Sequence, residues 1–226
     1  MVFFLHKRVG VNYSYFICTS SNFKTFRQTD DDSYNQPHYY LTNMLNRLIA
    51  LILIIILSPV FFLVALAILI EDGFPVFFRQ KRVGANYTFF MIYKFRTMKK
   101  NTPNVATHLL KNPKQYLLKS GGLLRKLSID ELPNLINIVK EEMVFVCPRP
   151  ALYNKDDLMA LRKTAGVKKL KPGITGWAQI NGRDEISIEE KVAYEKEYLQ
   201  RKSVWFDLKI VVLTFTSVLR SKGVTH

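Results

Sequence analysis

Asp130 and Glu131 are adjacent carboxylates in a chain that flanks them with cations: Lys94, Arg96, Arg125 and Arg149. A carboxylate can attack phosphorus and form an acyl phosphate, which divides one difficult transfer into two easier ones. Bringing it to a diphosphate sets negative charge against negative charge, and guanidinium groups and Mg²⁺ relieve that repulsion. The same cations suit phosphate oxygens through charge-assisted hydrogen bonds. A plainer, structural reading competes. Ser128-Ile-Asp-Glu131 has the spacing of a capping box, and Asp130 in a first helical turn would favour the helix dipole. Further along, Lys171 to Arg183 reads KPGITGWAQINGR. It offers Trp177, Gln179, Asn181 and Arg183 to a base and ribose, or else forms a structural turn. Neither a GxxxxGK[ST] loop nor a strand-linked GxGxxG is present.

These residues sit in a basic chain of 226 residues, with 33 Lys+Arg against 18 Asp+Glu. The excess is one-sided: residues 1–72 carry five basic and five acidic side chains, and residues 73–226 carry 28 and 13. Such a surface suits phosphates, whether on a nucleic acid, an anionic lipid or a charged substrate. Two distant cysteines, Cys18 and Cys147, exclude a disulfide scaffold, and no Cys/His cluster has zinc spacing.

Positioning falls first to an apolar run. Leu48–Ile70 is 23 residues without a charge, long enough to cross a bilayer core of roughly 30 Å. It is too long and too far from Met1 for a secretory signal, and it lacks a small-residue cleavage pattern. Ser58-Pro59 falls at its middle, where Pro removes a backbone donor and Ser58 can return a hydrogen bond to the freed carbonyl. A strong kink would let the helix enter and leave by one face; a mild one would give a span. In either case the excess of Lys and Arg places the C-terminal part in the cytoplasm.

Around that anchor, the expected order is as follows. Residues 2–17 repeat residues 76–92 in the pattern VFFxxKRVGxNYxxF, either a truncated duplication or an extra lobe. Residues 75–98 read as a β-hairpin around Gly84-Ala85-Asn86-Tyr87. Residues 100–120 are irregular to partly helical. A helix after Ser128 carries Leu132, Leu135, Ile136 and Val139 on its apolar stripe and is stopped by Pro148-Arg149-Pro150. Residues 154–165 are helical, and 171–183 form a loop. Ser187-Ile-Glu-Glu190 caps a charged helix to about Arg201. Val204–Leu219 is apolar but interrupted by Asp207 and Lys209, which favours an interfacial or docking helix.

Several motifs occur in one order: LSP at 57–59, PVFFRQKRVG at 75–84, YKFRTM at 93–98, LSIDELPNLINIVK at 127–140, PRP at 148–150 and KPGITGWAQINGR at 171–183. The series resembles the bacterial sugar transferase family, the monotopic phosphoglycosyl transferases, over roughly residues 44–224. The resemblance implies transfer of sugar-1-phosphate from a UDP-sugar to undecaprenyl phosphate with release of UMP, a first membrane step in assembling a surface or glycoprotein glycan. It implies Asp130 as the nucleophile, Glu131 as its partner in holding Mg²⁺ or managing the proton, and Lys94, Arg125 and Arg149, with Arg96 nearby, as phosphate-binding cations. Gly173, Thr175, Gly176, Trp177, Gln179, Asn181 and Arg183 would close over the uridine, and Ser58-Pro59 would make the anchor re-entrant.

The fold implied is α+β: a small, mainly helical cytoplasmic domain with a short hairpin or sheet, on a re-entrant helix and interfacial helices. The parts would be an atypical extension (1–43), the anchor (44–72) and the catalytic domain (73–226), at the bacterial inner membrane. Membrane lipids would be partners and nucleic acid would not, and a homodimer is compatible with this reading.

Four positions depart from the family pattern. Asn46 stands for an Asp, and Glu141, Val144 and Cys147 stand for Gly, Ser and Gly. Side chains at 141 and 147 would cost glycine's freedom at φ > 0, and Cys147, beside Pro148-Arg149, could shift that guanidinium. Two alternatives follow: a catalytically degenerate paralogue, and a membrane-tethered binder of anionic ligands whose affinity would fall steeply with salt.

Overall fold

The computed structural model describes residues 37–103, 112–182 and 186–219, and the architecture is α+β. The N-terminal copy of the repeat and Arg183 lie outside the described residues.

Two helices, α1 (Pro37–Ile56) and α2 (Ser58–Asp72), meet at Leu57 with a 61° bend between Leu41–Ile56 and Ser58–Asp72. Pro59 cannot donate to the carbonyl of Ile55, and the Ser58 hydroxyl donates to it instead at 2.8 Å. The backbone ladder closes around the break through Leu57 N–H to Leu53 and Phe61 N–H to Leu57. No single helix among the described residues is long and apolar enough to cross a membrane, whereas the bent pair together is, by length and composition.

Each helix buries one face only. Ala50 packs with Phe90, Ile92, Leu135, Ile138 and Met143, while Val64 and Ile68 pack with Val76, Phe95, Leu118 and Leu124. The remaining faces expose Leu45, Leu48, Ile52, Ile55, Phe62, Leu63 and Ile70. The C-terminal end of α2 is tied down by its acids. Asp72 accepts from Arg96 at 2.5 Å, and Glu71 accepts from the backbone of Lys119 and Ser120 and from the Ser120 hydroxyl.

β1 (Phe77–Val83) and β2 (Phe89–Phe95) form the expected antiparallel hairpin, with Phe77 opposite Phe95 and Val83 opposite Phe89. Its turn places Asn86 and Tyr87 at φ 49° and 63°. α3 (Gly121–Lys126) and α4 (Asn134–Val139) follow, separated by a single 3₁₀ turn at Ile129–Glu131.

The capping box expected at Ser128–Glu131 does not form. Ser128 sits in the left-handed region at φ 56° with no capping hydrogen bond, and the Glu131 carboxylate is drawn to cations instead. On α4, Leu135 and Ile138 are buried together with Asn134 and Asn137. Asn137 substitutes for a missing strand: its side chain accepts from Tyr93 N–H (3.1 Å) and donates to the Met91 carbonyl (2.7 Å).

Two further expectations are corrected. Pro148-Arg149-Pro150 does not stop α4, which ends at Val139 in a turn with Glu141 at φ 62°. β3 (Val144–Val146) then intervenes and pairs in parallel with β4 (Gly173–Thr175), so residues 173–175 are strand rather than loop. Gly173 makes this close pairing feasible, because a Cβ there would lie 2.3 Å from the Cys147 nitrogen.

The remaining helices are α5 (Asp156–Thr164), α6 (Trp177–Ile180), α7 (Ile188–Arg201) and α8 (Val204–Leu219). The second capping box is present: Ser187 Oγ accepts from Glu190 N–H, and the Glu190 carboxylate accepts from Ser187 N–H. α8 buries Phe206 and Ile210 against Val146, Cys147 and Tyr198. Its other face leaves Val204, Trp205, Leu208, Val212 and Phe215 exposed, with Trp205 at 81%.

Candidate active site

Four pieces of chain converge on the carboxylate pair. β2 carries Lys94, α3 carries Arg125, the 3₁₀ turn carries Asp130 and Glu131, and the segment after β3 carries Arg149. The two carboxylates are not equivalent. Glu131 is held on both oxygens: Lys94 Nζ donates to Oε1 at 2.7 Å, Arg149 Nη1 donates to Oε2 at 3.1 Å, and Arg149 Nη2 also reaches Oε1. Burial by itself would raise the Glu131 pKa, but the charges and hydrogen bonds of Arg149 and Lys94 outweigh it and hold the carboxyl well below the usual range.

Asp130 accepts no hydrogen bond and forms no ion pair among the described residues. Burial and the neighbouring Glu131 charge push it up to about 6, against the opposing pull of Lys94, Arg125 and Arg149. One member of the pair is thus an anchored anion, and the other is an unpartnered carboxylate in a field of three cations. Lys94 is itself pulled down, by burial first and then by Arg149, while Glu131 and Asp130 hold it up. Arg125 donates through Nε to Thr97 Oγ1 at 2.9 Å, and burial lowers it while Asp130 opposes.

Arg96 lies elsewhere. Its guanidinium is engaged by the Asp72 carboxylate and by the Gly73 carbonyl at 2.5 Å, at the end of α2.

The 171–182 segment joins the site through Arg149's neighbour: Gly173 N–H donates to the Pro148 carbonyl at 2.9 Å. Thr175 shares a 2.7 Å hydrogen bond with Thr214 of α8. Gly176 has extended backbone and passes close to Cys147, where a Cβ would lie 2.4 Å from the carbonyl oxygen. Trp177 is turned towards α7 and α8, donating to Glu197 at 2.8 Å and packing on Phe206 with ring centroids 5.1 Å apart. Asn181 donates to the Trp177 carbonyl. Gln179 differs: its amide nitrogen and oxygen are both buried without a partner. An amide in that condition costs stability unless a ligand or water completes it.

Of the departures, Glu141 does occupy the left-handed region, at φ 62°, and its carboxylate pairs with Arg47 of α1 at 3.0 Å. Asn46 accepts from Phe145 N–H at 3.3 Å. Cys147 shows no positive φ, and Arg149 reaches Glu131 regardless. The buried thiol lies 3.8 Å from the Tyr198 hydroxyl, and burial pushes it up to about 11, so it behaves as a small apolar side chain.

The sequence reading missed Thr97, Asn137 and a buried Arg162–Glu195 pair. Asn137 had the one available signal, an amide which, like Asn134, sits among the apolar residues of α4. Arg162 and Glu195 lie on charged helices, where nothing distinguishes a buried charge from a solvated one.

For Mg²⁺ the donor set is small. No group of three or more His, Cys, Asp or Glu occurs among the described residues. Mg²⁺ usually takes one or two carboxylates together with phosphate oxygens and waters, and the unpartnered Asp130 meets that requirement beside a phosphate ester. Both Glu131 oxygens are already engaged.

Comparison with known proteins places these residues in context. Residues 37–221 match the family model described as bacterial sugar transferase. The uncharacterized sugar transferase EpsL of Bacillus subtilis is 42% identical over 178 residues, covering 78% of this chain and 87% of that one. The exopolysaccharide production protein ExoY of Sinorhizobium fredii is 38% identical over 193 residues, covering 78% and 84%. The UDP-glucose:undecaprenyl-phosphate glucose-1-phosphate transferase of Escherichia coli is 37% identical over 193 residues; the match covers 80% of this chain but only 41% of that longer protein.

Proposed function

The chain belongs to the bacterial sugar transferase family, and we propose that it transfers sugar-1-phosphate from a UDP-sugar to undecaprenyl phosphate, releasing UMP. The observation that carries this is the inequality of the two carboxylates: Glu131 fixes Lys94 and Arg149, and Asp130 is left without a partner.

In the first step an Asp130 carboxylate oxygen attacks the phosphorus that bears the sugar. The new O–P bond forms as the phosphoanhydride bond breaks, and UMP leaves with the bonding pair. Lys94, Arg125 and Arg149 stand ready to neutralise charge on the phosphoryl oxygens, which a preformed cationic site does without reorganising solvent. In the second step an oxygen of undecaprenyl phosphate attacks the same phosphorus, and the acyl phosphate opens to return the Asp130 carboxylate. Asp130, with the substrate's phosphate oxygens, would hold Mg²⁺, which supplies further charge neutralisation on the diphosphate. Glu131 orders the cations throughout. Gln179 is the residue of the 171–182 segment best supported as a nucleotide contact, because its amide lacks a partner.

The lipid acceptor accounts for the anchor. In this reading the bent pair α1 and α2 enters and leaves the cytoplasmic leaflet of the bacterial inner membrane by one face, and residues 73–226 work at its surface. The exposed apolar face of α8 would rest in the interface.

UMP release from a panel of UDP-sugars, with undecaprenyl phosphate and Mg²⁺, tests the proposal. Wild type should release UMP in a lipid-phosphate-dependent manner with at least one donor, and Asp130→Asn should not. Without acceptor, a radiolabelled donor should leave label on the protein, lost in Asp130→Asn. Folded, membrane-bound protein that releases no UMP from any donor would overturn the assignment.

A further inference from the structure

Arg149 is presented to Glu131 by a segment with few backbone donors, since Pro148 and Pro150 on either side have no N–H. The segment is fixed through its carbonyls, each taken by a different group. Gly173 N–H donates to the Pro148 carbonyl at 2.9 Å, Arg162 Nη2 to that of Arg149 at 2.9 Å, Arg82 Nη1 to that of Pro150 at 3.1 Å, and Val83 N–H to that of Ala151 at 3.0 Å.

Only one of these donors acts on Arg149 itself, and it comes at a cost. Arg162 and Glu195 are 6% and 2% exposed. Glu195, on α7, takes Arg162 Nε at 2.7 Å through Oε2 and Nη2 through Oε1. The same Nη2 then reaches the Arg149 carbonyl. A buried ion pair is seldom retained for stability, because an apolar pair of similar volume does as well or better. Here the pair has a directional task. The carboxylate fixes the plane of the guanidinium, and the guanidinium fixes the peptide that carries Arg149.

We propose that Arg162 and Glu195 are positioning residues for phosphoryl transfer, acting through the Arg149 main chain to hold its guanidinium at the dyad. The inference rests on the transferase reading for what Arg149 grips, and on the geometry alone for the clamp. Lys at 162 cannot replace Arg, because an ammonium lacks the planar fork that serves a carboxylate and a carbonyl together.

The test uses full-length protein in membrane and compares wild type, Arg162→Lys, the paired Arg162→Met/Glu195→Leu, Arg149→Ala, and the paired variant combined with Arg149→Ala. The apolar pair keeps the volume and leaves no buried charge unpaired, so it should melt close to wild type. Its kcat/KM for UDP-sugar should nevertheless fall by about 100-fold, the scale expected for a displaced catalytic cation. With Arg149 already removed, the same pair should cost less than about threefold, because residues acting as one unit are non-additive. Arg162→Lys should resemble the pair. Wild-type activity in the folded paired variant would overturn the proposal, and so would an equal loss with and without Arg149. If wild type releases no UMP, the transferase reading fails separately, and the clamp is decided by hydrogen exchange at the Gly173 and Val83 amides, which donate to the Pro148 and Ala151 carbonyls on either side of Arg149. Faster exchange in the paired variant than in wild type supports the clamp, and unchanged exchange overturns it.

Discussion

Replacing Asp130 by Asn should remove the activity and, at the same time, make the folded protein more stable at neutral and alkaline pH. Burial and the Glu131 charge raise the Asp130 pKa from 3.8 to about 6, a net figure that already contains the attraction of Lys94, Arg125 and Arg149. The folded state therefore binds this proton more tightly than the unfolded chain does. The resulting contribution to stability is fully present below pH 3.8 and is lost as the pH rises through about 6. Two pKa units correspond to about 3 kcal/mol, which the ionised carboxylate costs the fold at pH 8. Asn keeps the shape without the charge and escapes that cost. In a unit of this size about 3 kcal/mol is roughly 6–12 °C in Tm. Thermal melts of both proteins in the same lipid nanodiscs, from pH 4 to pH 8, measure it. The variant should lead by several degrees at pH 8, and the gap should close towards pH 4. A variant that melts at or below wild type at pH 8, or a gap unchanged at pH 4, would refute the account of Asp130 as a destabilised, unpartnered anion.

The neighbouring carboxylate should behave in the opposite way. Glu131→Gln leaves the half-buried Lys94 and Arg149 without the carboxylate they bond and should destabilise by about 1–3 kcal/mol, read from the loss of Tm at pH 7. Because the Glu131 pKa is depressed, its contribution is present above the ordinary carboxylate value of 4.5 and lost on acidification, so the difference between the two proteins should narrow at low pH. The pH profile of kcat/KM should show an acid limb near pH 6 as Asp130 ionises; a profile flat down to pH 5 would refute the raised Asp130 pKa. Glu141→Gly should stabilise slightly, by up to about 1 kcal/mol, since it relieves φ 62° and gives up an exposed ion pair with Arg47 and a weaker attraction to Lys171. Cys147→Gly should instead destabilise by about 1–3 kcal/mol by emptying a packed site against Tyr198; denaturant midpoints compare the two.

Much of this protein is legible in the chain because the relevant signals are short-range. Pro59 beside Ser58 in an apolar run specifies a break and its repair, and both appear as the 61° bend and the Ser58–Ile55 hydrogen bond. The turn chemistry at Gly84–Tyr87 specifies the hairpin, and Ser187 with Glu190 specifies the start of α7. Ser128 with Glu131 has the same spacing and no capping box, because Glu131 finds stronger partners: Lys94 is 37 residues away and Arg149 is 18. Residues 173–175 became strand because β3 came alongside, and no local pattern in that segment announces a parallel partner.

Residue types and their spacing along the chain specify which groups could do the chemistry: two adjacent carboxylates, four flanking cations and a polar, Gly-rich segment, in an order shared with a known family. Tertiary structure decided how those residues divide the work. It sent Arg96 to the end of α2, gave Glu131 two hydrogen-bonded cations and left Asp130 with no hydrogen bond or ion pair among the described residues, and set a buried Arg162–Glu195 pair behind Arg149. Caps, kinks and turns depend on a few neighbouring dihedrals, which the chain carries in any environment. Desolvation and Coulomb interactions sum over groups that only the finished packing brings within reach.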